Sequence, residues 1–155
     1  MNRITRYVLF SLGLVIVGGL GIVWAHEDGV LKVTVLAKSI DAWDGKPLPA
    51  YPAGQPEITI LRIIIPAGEK TPLHLHTVIN AGVLLRGELV VHTENGLSKR
   101  LKAGDSLIEL VNKPHWGAND GEVDAEIIVF YAGVQGAKVT RELEEHHDSA
   151  DHDAR

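Results

Sequence analysis

Between residues 30 and 134 the apolar residues fall in short runs that either alternate with polar ones or are dominated by β-branched side chains. "VLKVTVLAK" at 30–38 alternates and is rich in valine, and "EITILRIIIPAG", which starts at Glu57, is stopped by Pro66. "INAGVLLRG", "ELVVHT", "LSKRLKAG", "DSLIEL" and "AEIIVFYAG" follow, parted by turn residues. A period of two sets one face of a strand on a core and the other on solvent. β-Branched residues pack well on that pleated surface. "ENG" at 94–96 lies between two such runs, and Asn-Gly supplies the left-handed backbone a tight hairpin needs. Residues 39–56 hold four prolines and predict a loop. No segment before Val134 carries a helical period, and there is no internal repeat. The pattern predicts an all-β domain, an antiparallel sandwich or barrel.

Both ends break this pattern. Arg3 and Arg6 precede an uncharged apolar run at 7–25. A basic start followed by such a run predicts a signal peptide or a retained anchor helix over residues 1–25. Val23 and Ala25 meet the small-residue rule for cleavage loosely. In either case the positive end stays inside, so the domain that follows is expected to be periplasmic or extracellular. Any membrane contact is then confined to residues 1–25. At the other end, "RELEEHHDSADHDAR" carries six acids and three histidines with almost no apolar residue. Residues 138–155 therefore read as an acidic tail, leaving 26–137 as the β domain. His146, His147 and His152 could bind metal weakly, but a solubilising tail is the simpler reading.

Composition narrows the chemistry. There is no cysteine, so an exported domain must hold together by packing, without disulfides or thiolate sites. The net charge is −5, and −7 without Arg3 and Arg6, which argues against nucleic acid as a partner.

The residues suited to chemistry are histidines. "PLHLHTVIN" places His74 and His76 two apart, on one face of a strand, with Leu73, Leu75 and Thr77 on the other. Alone, this pair fits an exposed strand face as well as a metal clamp. His115, in "NKPHWGAN", offers a third imidazole. His92 precedes the "ENG" turn, where an exposed strand end is expected. Three neutral imidazoles converging inside a barrel suit Fe, Zn, Mn, Ni or Cu, with positions left for water or a small ligand.

Two stretches carry a family resemblance. "GEKTPLHLHTVINAGVLLRG" resembles the first cupin motif through Gly68, His74, His76 and Gly87, with Asn80 where the motif has Glu. "GDSLIELVNKPHWGAN" is similar to the second through Gly104, His115 and Asn119, with Leu110 and Asn112 replacing its Pro and Gly. The resemblance implies a cupin jelly-roll barrel, often paired as a homodimer. It implies His74, His76 and His115 as ligands of a divalent metal. It also puts residue 80 at the fourth ligand position. An Asn amide is a poor substitute for a carboxylate, so Asn80 is expected to be a weak ligand or an outer partner of the site. The metal would then keep its full charge among neutral ligands. Ala81, Gly82, Trp116 and Asn119 are expected around the pocket. For Ala81 and Gly82 close strand packing competes with that role, and for Trp116 the filling of a barrel end does. Arg62, alone in an apolar run, is expected to be paired or at an interface. Glu88 and Glu109 could support the site, but solvation on a strand surface explains each more simply.

Three functions compete. The first is an exported metal-binding barrel with no assigned reaction and no assigned catalytic residue. The second is a three-histidine Fe(II) dioxygenase acting on a small organic substrate. The third is a non-catalytic barrel that binds a small ligand or serves as a structural partner. Fold alone does not choose among them.

Overall fold

The computed structural model describes residues 21–26 and 29–144. The chain divides into two compact units, Met1–Val35 and Leu36–Arg155. In the first, β1 (Gly21–His26) and β2 (Gly29–Thr34) form an antiparallel hairpin, with Gly21 opposite Thr34 and His26 opposite Gly29. Residues 1–20 of the segment read as signal or anchor, and the end of the acidic tail from residue 145, lie outside the described residues. No helix among the described residues is long and apolar enough to cross a membrane.

Among the described residues, the second unit is built from nine strands. In chain order these are β3 (Pro56–Ile65), β4 (His74–His76), β5 (Ile79–Arg86), β6 (Glu88–Thr93), β7 (Ser98–Lys102), β8 (Ser106–Ile108), β9 (His115–Ala118), β10 (Ala125–Val134) and β11 (Thr140–Glu142). They form a four-stranded sheet, β3-β10-β5-β8, and a five-stranded sheet, β11-β4-β9-β6-β7. The expected "ENG" hairpin joins β6 to β7, pairing Glu88 with Lys102 and His92 with Ser98. The all-β expectation holds throughout the described residues.

Alternation decides what the sheets enclose. Along β10, residues 125, 127, 129, 131 and 133 are buried, while their neighbours are half-buried or exposed. Ile127, Val129 and Tyr131 join Leu84, Leu101 and Leu107 in one core. Each such side chain contributes about 1.5–3 kcal/mol by leaving water. This supplies the cohesion that disulfides cannot give here. β3 is an edge strand with an apolar outer row. Ile58 is 53% exposed and Ile60 62%, and Ile60 lies opposite Phe130, itself 44% exposed. Arg62, on the same face, donates from Nε to Glu126 Oε1 at 2.7 Å, which satisfies the expected pairing.

β11 is the part of the unit that local pattern does not reveal. Thr140–Glu142 lies in the segment read as tail, yet it pairs along β4, with Thr140 opposite His76 and Glu142 opposite His74. A polar segment can hold this place because an edge strand gains its stability from ladder hydrogen bonds rather than from apolar burial.

Candidate metal centre

The two-residue spacing of β4 projects His74 and His76 from one face, and the pairing of His74 with His115 brings in the third ring from β9. Ring centroids are 5.0 Å apart for His74–His76, 4.5 Å for His74–His115 and 4.8 Å for His76–His115. One nitrogen from each ring lies within 4.8 Å of the other two. His115 and His76 are buried, 2% and 5% exposed, whereas His74 is half-buried.

The outer nitrogens are already engaged. His74 Nδ1 is 2.7 Å from the Pro72 carbonyl oxygen, and His115 Nδ1 is 2.8 Å from that of Lys113. A carbonyl only accepts, so both Nδ1 atoms carry the hydrogen and both Nε2 atoms keep the lone pair. His76 Nδ1 meets Thr140 Oγ1 at 3.1 Å, a hydroxyl able to accept from it in the same tautomer. Ligating histidines are oriented this way in metal sites generally. Burial, reinforced by His115 and His74 nearby, holds His76 down at about 3. Burial likewise lowers His115 to about 4, against the Lys113 carbonyl, which raises it. Both rings are thus neutral at neutral pH, with lone pairs available.

The space around them is small. A cavity of about 50 Å³ is walled by the three histidines, Glu109, Tyr131 and apolar side chains including Ile63, Ile127 and Val129. A water's share of liquid volume is about 30 Å³, so the cavity suits an ion with one or two very small ligands. A roomier surface hollow, about 400 Å³, lies between Asp44, Thr93, Lys113 and their neighbours. That hollow contains none of the buried polar atoms that lack a partner, which are Trp43 Nε1, Asn80 Oδ1, Glu109 Oε2 and His115 Nε2 among the described residues. The histidine cavity contains two of them, Glu109 Oε2 and His115 Nε2. An unpaired buried polar atom costs about 1–3 kcal/mol. A cation at the histidines would satisfy His115 Nε2, so the residues present fit a metal.

The other expected site residues sit elsewhere. Asn80 is buried, 1% exposed, but its Nδ2 turns back to donate to the Val78 carbonyl at 3.1 Å, and it does not wall the cavity. Ala81 lies on the outer face opposite Ile108 and Phe130, because strand alternation turns it away from Asn80 and Gly82. At Gly82 a Cβ would come within 3.0 Å of Ile127 Cδ1, so close packing accounts for that glycine. Trp116 points out of the barrel and stacks on His92, with centroids 5.3 Å apart. Asn119, fully buried, clamps a turn: its Nδ2 donates to the Ile65 and Val123 carbonyls, and its Oδ1 accepts from Gly121 N–H. None of Ala81, Gly82, Trp116 and Asn119 is among the residues that wall this cavity.

Two residues at the site, Thr140 and Tyr131, carry no signal in the local sequence, and a third, Glu109, is weighted there toward a solvated position. Thr140 orients His76. Tyr131 packs edge-on against His76, with centroids 5.4 Å apart. Glu109, for which support of the site and solvation on a strand surface are both open from sequence, is 6% exposed, with burial raising its carboxyl to about 7. The signal for Glu109 was available, because "SLIEL" sets it on the same face as Leu107, and Leu107 is core. Glu88 does sit at the surface, bonded to Arg100 at 3.1 Å.

Residues 61–131, just under half of the chain, match the family model described as the cupin domain. This match and the sheet topology support a likeness of the second unit to cupin domains, and the described residues are all-β. Among solved structures, a conserved protein with a double-stranded β-helix domain from Klebsiella pneumoniae is similar at 21% identity, over 61% of this chain and 90% of its own, with a TM-score of 0.50. An oxalate oxidase is similar at 19% identity, over 56% of this chain and 46% of its own, with a TM-score of 0.49. An oxalate decarboxylase from Lactobacillus farciminis is similar at 18% identity, over 56% of this chain and 26% of its own, with a TM-score of 0.49. The chain spans less than half the length of either enzyme. No curated protein matches the sequence.

Proposed function

We propose that this chain is an exported cupin whose barrel binds one divalent metal, Fe, Zn, Mn, Ni or Cu, through His74, His76 and His115. The observation that carries the reading is the convergence of three imidazoles, two of them fixed by carbonyls in the tautomer that leaves Nε2 free. When bound, such a metal supplies Lewis acidity and an exchangeable position for a small ligand. The chain's own part is to hold the rings neutral, orient them through Pro72, Thr140 and Lys113, and keep bulk water out with apolar walls. No reaction is assigned. The small apolar cavity favours, as a second reading, an oxygen-dependent oxidoreductase whose organic substrate meets the site from the half-buried His74 side. Export rests on Arg3, Arg6 and the apolar run at 7–25.

Metal analysis of the purified chain, as isolated and after refeeding each of the five metals, tests the central reading. About one equivalent per chain is expected. A value near zero under every condition would instead favour a barrel that binds a small organic ligand without metal.

The chain forms a homodimer through β3. That strand is an unpaired edge among the described residues, and its outer row places Ile58 and Ile60 beside Phe130 in solvent. Long apolar edges are rarely left open. Light scattering should show a dimer for the wild type and a monomer for Ile60→Asp. A monomeric wild type, or a dimer that tolerates the aspartate, would contradict this.

A further inference from the structure

We infer that Glu109 is the fourth protein ligand of this metal site, supplying from the neighbouring strand the carboxylate that residue 80 lacks. The inference rests on the three-histidine reading above and deepens it.

Strand register places the residue. β5 and β8 pair Ala81 with Ile108 and Gly82 with Leu107, so the next pair along the ladder is Asn80 with Glu109. The Glu109 N–H does donate to the Asn80 carbonyl, at 3.0 Å. Residues directly opposite in an antiparallel pair share a face, with Cβ atoms about 4.5–5.5 Å apart. Asn80 and Glu109 are both buried, and both point inward. The carboxylate is thus displaced by one strand from the position where the cupin motif puts its Glu.

The side chain then finishes inside the histidine cavity. Glu109 Oε2 and His115 Nε2 are 3.8 Å apart, too far for a hydrogen bond. Among the described residues neither atom meets a partner at full hydrogen-bond geometry, although the Trp43 indole and the Leu110 backbone act on the same carboxyl. Both line the same cavity. Two ligand atoms each about 2.0–2.2 Å from one metal can be up to about 4.4 Å apart, so the 3.8 Å to His115 lies within the span one ion can bridge. The mutually close ligand atoms are those of His74, His76 and His115 alone, so the Glu109 carboxylate must turn toward the ion to complete the set. With Glu109 ionised, the two facing buried acceptors are unfavourable as they stand, and a cation between them satisfies both at once. With Glu109 ionised and bound, three neutral imidazoles and one carboxylate leave a divalent ion at a formal +1. The substitution at residue 80 therefore leaves the charge of the ligand set unchanged. Asn80, its amide turned to the Val78 carbonyl, is a neighbour of the site and not a ligand.

The test uses the full chain, stripped with a chelator and refilled with Co(II), reading affinity by competition and coordination by the visible absorption spectrum. Glu109→Gln keeps the shape and removes the charge. It should weaken Co(II) binding about 10–100-fold or more and shift the spectrum, while circular dichroism stays that of the wild type. The double variant Asn80→Glu/Glu109→Gln returns a carboxylate to the pair and should recover at least part of the affinity. Wild-type affinity and spectrum in Glu109→Gln, with binding still lost in His76→Ala, would overturn the role of Glu109 and leave the three-histidine site standing. Failure of the wild type itself to bind Co(II) would remove both. If Glu109→Gln does not fold, Glu109→Asp makes the same comparison: a shifted spectrum supports the inference and an unchanged one overturns it.

Discussion

Replacing His115 with alanine is expected to strip the barrel of its metal. Of the three converging rings this one is the most enclosed, 2% exposed, and it lies within 4.8 Å, centroid to centroid, of both others. Its Nδ1 hydrogen is committed to the Lys113 carbonyl, so its Nε2 has no role in the protein except toward what occupies the cavity. Alanine leaves two imidazoles from a single three-residue strand. Metal affinity should fall by at least about 100-fold, or about 2.7 kcal/mol. Metal analysis after gel filtration should then find little left, with the β-sheet circular dichroism retained. His92→Ala is the matched control. His92 stacks on Trp116 outside the barrel, so its loss should leave metal content unchanged. A His115→Ala protein that keeps wild-type metal, or a His92→Ala protein that loses it, would contradict the assignment.

The largest expected loss of stability is at Gly87. This residue turns the chain from β5 into β6 with φ +75°, a region that L side chains rarely adopt. An added Cβ would stand 2.7 Å from the Asp124 carbonyl oxygen and 3.0 Å from Ala125 Cα, both backbone atoms. Neither can rotate aside, so the start of β10 would have to shift, and with it the strand that carries Ile127, Val129 and Tyr131 into the core. Gly87→Ala should cost roughly 3–5 kcal/mol. Gly104 provides the comparison. Its φ is +94°, but no atom lies within 4 Å of its would-be Cβ. Gly104→Ala therefore carries only the conformational cost, about 1–2 kcal/mol. Urea denaturation of the two variants should show the difference, and equal losses would mean that the contact at Asp124 does not matter.

Both glycines are motif residues, and they show what a motif can and cannot convey. From sequence they are identical signals at fixed distances from the histidines. Only the packed structure separates one that is pressed against a neighbouring strand from one that faces open space. Asn119 makes the same point. Its spacing matched the second motif and suggested a place at the pocket, whereas its amide closes a turn against Ile65, Gly121 and Val123.

Local pattern was sufficient wherever one strand determines the outcome. The period of two gave the all-β fold and the placing of His74 and His76 on one face, because side-chain direction in a strand follows from residue parity alone. The same rule applied to "SLIEL" points Glu109 inward beside Leu107. It was overridden by the expectation that a lone acid on a strand is solvated. What parity cannot supply is which strand lies beside which. Thr140 reaches His76 across 64 residues of chain, and nothing near either residue announces it. Asn80 and Glu109 become partners only through the register of β5 on β8. The sequence by itself determined which side chains face the interior. The tertiary structure alone decided which of them meet, since register between distant strands is set by the packing of the whole barrel.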